Sequence, residues 1–341
     1  MITSTEAPFV TVLMPVFNAA PFLRRSIESV LYQDFSDFEL LIVDDGSTDD
    51  SISIIRSFTD SRIRLLQLPK NLGFVEALNH GLANARAPWI ARQDADDLSR
   101  RDRLREQVNL LMTDPEIDLL YSDARLINDL SSYRGILCSP QSESLLRWDL
   151  CFRNAIPHSS VFFRRDTVFD KLGGYRRDNV SADYDLWTRL LANGHAKKCE
   201  GALVSYRLHT RSIMGTENSS SKKMSSTPLR EIMLENIKNA VDTFAPDDAQ
   251  VILDAWTDGE AIDWPRYFEK RLALLNLFVA KHPDAVGMDH LISQQDYTLF
   301  HRVLRKGRGA SLAFLSALNS HNRRALSRLP WIKVAYSLLN G

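Results

Sequence analysis

The chain is expected to fold as an α/β domain, a Rossmann-like and mostly parallel sheet flanked by helices, followed by a helical C-terminal region. Apolar runs of strand length alternate with amphipathic segments over the first 125 residues, which is the pattern of a parallel sheet wrapped by helices. Acidic clusters directly follow two of those runs, where an open parallel sheet presents its ligand. From Leu229 onward no convincing strand appears, and helical spacing takes over.

The first run, "FVTVLMPVF" (9 to 17), is continuous rather than alternating, as expected of a strand buried on both faces. Pro21 then signals a helix start, and Leu23, Ile27, Val30 and Leu31 share one helical face. "FELLIV" (38 to 43) is the second strand. Ser47 and Thr48, ahead of Asp49 and Asp50, start a helix that carries Ile52 and Ile55 inward. "IRLLQL" (63 to 68) precedes a helix with Val75, Leu78 and Leu82 on one face. "WIA" (89 to 91) precedes one with Leu104, Val108 and Leu111, and "IDLLYS" (117 to 122) is a further strand. Next, "SSVFFR" (159 to 164) and "ALVSYRL" (202 to 208) read as strands around the helical "DYDLWTRLLANG" (183 to 194), with Gly194 placed to cap its end. The expected division is a catalytic domain over 1–215, a Ser-rich linker over 216–228, and a helical region with a basic tail over 229–341.

Composition narrows the class. Three widely separated cysteines without a CxxC pair suggest neither zinc nor a disulfide framework, and fit a reducing compartment. No apolar stretch approaches the roughly 18 residues of a spanning helix, and the N-terminus does not resemble a signal peptide. A cytoplasmic protein with no nucleic-acid partner is expected. The net charge of −1 hides an asymmetry: residues 301 to 341 hold eight Lys or Arg and no Asp or Glu.

The two acidic clusters are Asp44 with Asp45, and Asp94, Asp96 and Asp97 in "WIARQDADDL". No GxGxxG or GxxxxGK[ST] loop follows the first strand, which argues against a dinucleotide oxidoreductase or a P-loop enzyme. Three carboxylates in four positions repel one another unless a cation or donors serve them. A DxD pair can approach a diphosphate only by sharing a hard divalent cation such as Mg²⁺ or Mn²⁺, which also stabilises the leaving diphosphate. Capping a helix near Leu98 is the plainer use of such acids, but one cap does not need three carboxylates.

The stretches "VTVLMPVFNAAPFLRRSIESVLYQDFSDFELLIVDDGSTDDS", "NLGFVEALNHGLANARAPWIARQDADD" and "SADYDLWTRLL" resemble the large family 2 of inverting glycosyltransferases with the GT-A fold, over about residues 9 to 215. The order VDDGSTD, DADD, D-Y-D-L-W is specific in combination. The resemblance implies a nucleotide-sugar donor, with UDP the nucleotide expected, and an acceptor hydroxyl on a saccharide or lipid-linked saccharide in cell-surface polysaccharide assembly. It implies that Asp45 accepts from the ring N–H of a pyrimidine base, with Asp44, Pro15, Asn18 and Asn71 beside it. Asp94 and Asp96 become the DxD pair around Ala95, with Asp96 the direct metal ligand and Asp97 assisting or capping. His158 falls where the family lines the donor site, although a satisfied structural imidazole is the other reading.

Inverting transfer needs one base for the acceptor hydroxyl, and Asp183 at the start of its helix is the candidate, an ordinary N-cap being the alternative. Two departures stand out: Ala182 replaces the usual acid before the base, and the Pro usual after the DxD turn is missing from "LSRRDRL". Arg207, His209 and Arg211 form a cluster suited to the diphosphate or, for His209, to the metal; a solvated basic loop is the alternative. A non-catalytic nucleotide-sugar or glycan-binding protein on the same fold is the competing function, and a sugar nucleotidylyltransferase a more distant one. The tail, with "LPWIKVAYSLL" among its basic residues, is read either as a helical cap on the catalytic domain or as a peripheral contact with the cytoplasmic membrane face.

Overall fold

The computed structural model describes residues 7–176, 181–209, 227–256 and 262–285, with residues 299, 311 and 314. The Ser-rich segment, Arg211 and the basic tail lie outside the described residues, apart from the few just named.

The described chain divides into two compact units, one of residues 1–143 and 155–221, the other of 144–154 and 222–341. In the first, β1 (Val10–Val16) and β2 (Phe38–Asp44) are buried at every position, which is why both read as mostly apolar runs, with Thr11 in β1 and Glu39 in β2 the buried polar exceptions before Asp44. β3 (Ile63–Gln67) and β4 (Trp89–Arg92) flank them in the order β3-β2-β1-β4, all parallel. The sheet continues through β8 (Phe162–Arg164), β6 (Ile117–Ile127), β9 (His195–Arg207) and β5 (Leu98–Ser99), while β7 (Tyr133–Leu137) pairs with β6 as a hairpin. β8 enters antiparallel between β4 and β6, so the sheet is mixed on that side.

Crossover helices α1 (Ala20–Leu31), α2 (Ser51–Arg56), α3 (Phe74–Asn84) and α4 (Arg103–Thr113) bury the predicted faces: Leu23, Ile27 and Val30; Ile55; Leu78 and Leu82; Leu104, Val108 and Leu111. α5 (Glu143–Leu150) comes next in the chain, and α6 (Ala182–Leu191) is followed by Gly194, whose N–H closes on Leu190 O. The acids of the DADD turn do not cap a helix at Leu98. That residue lies in β5, and the next helix opens at Arg103.

In the second unit, Trp148 and Phe152 pack with Phe278 and Trp256. Helices Thr227–Ala240, Pro246–Trp256 and Trp264–Lys281 supply most of its described residues. Among the described residues no helix is long and apolar enough to cross a membrane.

Candidate active site

The parallel strands β1, β2 and β4 end on the same edge of the sheet, and both acidic clusters stand there. Asp44 closes β2 and Asp45 follows it; both are buried. The Asp45 carboxylate takes one amide on each oxygen, from Leu72 at 2.7 Å and Gly73 at 2.8 Å, so it straps the loop after β3 to the end of β2. Asn71 Oδ1 accepts from the same Gly73 N–H at 2.9 Å.

Gly46 makes this approach possible. It sits at φ +72°, and a Cβ there would lie 2.6 Å from the Lys70 carbonyl carbon. Asn18, at φ 49°, accepts from the Thr48 amide at 2.8 Å and donates its own N–H to Ser47 Oγ. Ser47 N–H reaches the Asp44 carboxylate at 3.3 Å. Pro15 lies within β1 opposite Val43. Loops after β1, β2 and β3 therefore bring Asn18, Asp44, Asp45 and Asn71 together. The exposed Phe17, Leu72 and Phe74 give this rim apolar surface.

The second cluster is built differently. Asp94 accepts from Arg92 Nη2 at 2.6 Å on one oxygen and from Ser159 Oγ at 2.7 Å on the other. Ser159 Oγ in turn accepts from the Asp94 amide at 3.1 Å. Arg92 is wholly buried and stacks over Phe74, its centre 5.2 Å from the ring. Arg103, equally buried, donates to Arg92 O, Val161 O and Gln93 Oε1, and burial lowers its pKa to about 9 without neutralising it at pH 7. Ala95 is buried against the core.

Asp96 meets His209 Nε2 at 2.8 Å. Arg207 donates its amide to Asp97 Oδ1 and Nε to Asp96 O, and Nη1 to Asn128 O, Asp129 O and Ser131 Oγ. Its guanidinium lies over Phe22, which also faces the His209 ring at 4.9 Å. Arg207 Nη2 is buried without a hydrogen-bond partner among the described residues.

Charge is unevenly settled in this turn. Burial pushes Asp94 up, but Arg92, His158 and Ser159 outweigh it and hold the carboxyl below its ordinary value. Burial and then Asp94 push Asp96 up against His209, and burial with Asp94 and Asp96 raises Asp97 well above its ordinary value. Asp97 Oδ2 is buried with no hydrogen-bond partner among the described residues.

The third group surrounds His158, whose Nε2 meets the Tyr175 hydroxyl at 2.8 Å and whose ring faces Phe74 and Trp187 edge-on. Burial, helped by Arg92, pushes its pKa down to about 3, so the imidazole is neutral at pH 7. Burial raises the Tyr175 hydroxyl, and the charges of Asp183 and Asp94 add to the rise. Asp183 is half-buried in the first turn of α6, where Oδ1 accepts from the Tyr184 amide at 2.9 Å. Asp185 is committed to ion pairs with Arg176 and Arg189. Trp187 is fully buried, and its Nε1–H has no hydrogen-bond acceptor among the described residues.

The geometry suits a divalent cation completed by a ligand. Among the described residues no three His, Cys, Asp or Glu side chains form a ready cage. Asp96 and His209 nevertheless offer one carboxylate and one imidazole beside acids whose repulsion a cation relieves. Hard cations are commonly held by one or two carboxylates plus substrate phosphates.

Sequence reasoning did not single out Arg92, Ser159, Tyr175 or Phe22. The available signal was Arg92 itself, a charge inside a buried strand two residues ahead of Asp94.

Comparison with known proteins identifies the family. The family model described as Glycosyl transferase family 2 matches residues 11–177. The chain is 31% identical over 210 residues to the O-antigen biosynthesis glycosyltransferase WbnJ of Escherichia coli, covering 60% of this chain and 81% of that one. It is 29% identical over 236 residues to an uncharacterized glycosyltransferase of Haemophilus influenzae, covering 64% and 72%. In fold it is similar to residues 1–349 of S. aureus TarS in complex with UDP-GlcNAc, with TM-score 0.56, 16% identity, and 92% and 91% of the two chains covered. It is likewise similar to the mannosyltransferase PcManGT from Pyrobaculum calidifontis in complex with GDP-Man and Mn²⁺, with TM-score 0.52, 19% identity, and 93% and 88% covered. Two acidic strand ends on a GT-A-like sheet and these relatives lead to one assignment: the chain belongs to glycosyl transferase family 2 and is a nucleotide-sugar-dependent glycosyltransferase.

Proposed function

We propose that the protein transfers a sugar, with inversion, from a UDP-sugar to an acceptor hydroxyl during cell-surface polysaccharide assembly, and that the transfer depends on Mn²⁺ or Mg²⁺. The observation that carries the metal-dependent reading is the half-buried DADD turn, in which the buried Asp97 Oδ2 has no hydrogen-bond partner among the described residues and Asp96 faces His209. Asp96 and His209, with Asp94 alongside, would hold the cation, whose chemistry there is to neutralise the departing diphosphate. Asp94, braced by Arg92 and Ser159, orients the donor, and Arg207 keeps Nη2 for a diphosphate oxygen while fastening the turn. The rim of Pro15, Asn18, Asp44, Asp45 and Asn71 receives the base and ribose, and neutral His158 lines the sugar side. UDP is the donor nucleotide to test first, since the solved relatives bind UDP-GlcNAc and GDP-Man. The polysaccharide setting is supported by the name of the WbnJ relative.

In this reading Asp183 takes the proton from the acceptor hydroxyl as that oxygen bonds to the anomeric carbon. The bond from that carbon to the diphosphate oxygen breaks, and UDP leaves with the electron pair. Asp183→Asn tests the assignment, because it removes proton acceptance with little change in volume. UDP release should fall by roughly 10³-fold or more, with UDP affinity by calorimetry nearly unchanged. Turnover close to wild type would move the base elsewhere. If the wild type bound UDP and released none from any UDP-sugar or GDP-sugar, a binding protein on the same fold would be the better account.

A further inference from the structure

We infer that the β6–β7 hairpin is a docking element for an anionic lipid bilayer surface. β6 is buried through its first six residues or nearly so, then opens toward solvent where β7 joins it, and four of the five β7 residues are exposed. Within eight residues the hairpin displays Leu130 at 83%, Tyr133 at 56% and Ile136 at 52% exposure, with Leu137 beside them. Several large apolar side chains exposed along one hairpin offer an interaction surface.

The tip is built, not slack. The Asn128 amide donates to Ser132 O, the Ser131 amide to Asn128 O, and the Ser132 amide to Asn128 Oδ1, with Ser131 at φ 62°. That turn holds Leu130 out into solvent.

Charge selects the partner. Arg125 and Arg134 are exposed, and neither has an ion pair among the described residues; Arg125 stands 5.3 Å over the Tyr133 ring. Arg25 reaches the same tip through Ser131 Oγ at 3.0 Å and is likewise without an ion pair there. Of the nearby acids, Asp123 is already paired with Lys198 at 2.8 Å, leaving Asp129 at the tip. Leucine, isoleucine and an aromatic ring among unpaired guanidiniums match a surface of apolar chains beneath anionic headgroups. The edge of β7 also suits a second copy poorly. A register shift at Leu126/Ile127 and Gly135 at φ 145° break the regular ladder that strand addition needs.

The hairpin is tied to the catalytic turn. Arg207 bonds Asp96 O at 2.7 Å and Asn128 O at 2.7 Å with one guanidinium, so a docked tip would set the DADD turn close to the bilayer. The implication that the acceptor is carried on that bilayer rests on the transferase reading above; the docking itself does not.

The test is co-sedimentation of the full chain with phosphatidylcholine vesicles, with and without phosphatidylglycerol, at low and high salt. Every variant keeps the basic C-terminal tail, so a loss belongs to the hairpin. Arg125→Gln with Arg134→Gln should weaken partition onto anionic vesicles by roughly fivefold per arginine, less at high salt. Leu130→Ser with Ile136→Ser should weaken it by about tenfold at either salt. Both variants should release UDP from a soluble donor at the wild-type rate, which separates docking from damage to the site. Wild-type partition by both variants, or no wild-type binding to anionic vesicles, overturns the inference. So does a lipid-free dimer that the Leu130 and Ile136 variant dissolves. Failure of all donors to yield UDP would instead strike the transferase reading and leave the vesicle result standing.

Discussion

Two strand ends of one sheet carry the same residue type and treat its charge in opposite ways. After β2, Asp45 is answered by backbone amides of Leu72 and Gly73, neutral donors fixed in place by the chain. After β4, Asp94 is answered by Arg92 and Ser159, Asp96 by His209, and Asp97 keeps an oxygen with no hydrogen-bond partner among the described residues. The first is settled by the chain's own amides and needs no cation. In the proposed reading the second leaves charge for a cation that arrives with the substrate. Acid in a sequence thus says little until its donors are known.

The largest effect should come from removing the guanidinium that makes the second end tolerable. Arg92→Met leaves the half-buried Asp94 opposite no guanidinium, and chemical denaturation should show a loss of about 3 kcal/mol. Arg92→Lys should recover part of it. A loss below 1 kcal/mol would mean that Ser159 alone sustains Asp94. Next, Asp96→Ala should lower kcat/KM by roughly a hundredfold, near 2.7 kcal/mol, and make UDP affinity equal in Mn²⁺ and in EDTA. UDP binding by the wild type that was indifferent to EDTA would erase the contrast between the two ends.

Asp45→Asn probes the other end, where one amide loses its acceptor, at about 2 kcal/mol of stability. Its effect on UDP binding should be the same with and without metal, the reverse of Asp96→Ala; calorimetry in both buffers decides.

The smallest effect concerns pH. Glu39, early in β2, combines the two modes: the Arg86 amide and Thr11 donate to it as neutral groups, and the Arg64 and Arg86 guanidiniums as charged ones. Burial pushes its carboxyl up, and those bonds outweigh it, so its pKa lies below the ordinary 4.5. The unfolded state binds the proton more readily. The contribution of Glu39 is therefore full above about pH 4.5 and fades as pH falls through the lowered folded value. Thermal melts should decline less steeply on the acid side for Glu39→Gln.

Much of the frame was legible because local pattern governs it. β1 to β4 and the faces of α1, α3 and α4 follow from continuous apolar runs and helical spacing, which need no knowledge of distant residues. β7 and β5 escaped for the opposite reason: "YRGIL" is short and mostly exposed, and "LS" is a strand only because β9 pairs with it. β9 begins at His195, seven residues ahead of its apolar run, since pairing with β6 sustains the polar stretch.

The acids of the site could be named from their order along the chain. Their donors could not, because Ser159 reaches Asp94 across 65 residues and His209 reaches Asp96 across 113. Arg207 shows the same limit. Next to His209 it reads as an anion-binding side chain, yet most of its donors face protein oxygens.

Gly46 has a kinetic consequence. Its left-handed turn lets the chain after β2 press against Lys70 and Asn71, with a Cβ shut out at 2.6 Å. Two loops touching backbone to backbone, and pinned again through Asp45, have little freedom left to lose when a nucleotide enters. Recognition of the base should then proceed without a slow rearranging phase. Rival nucleotides would differ in how long they stay, not in how quickly they arrive.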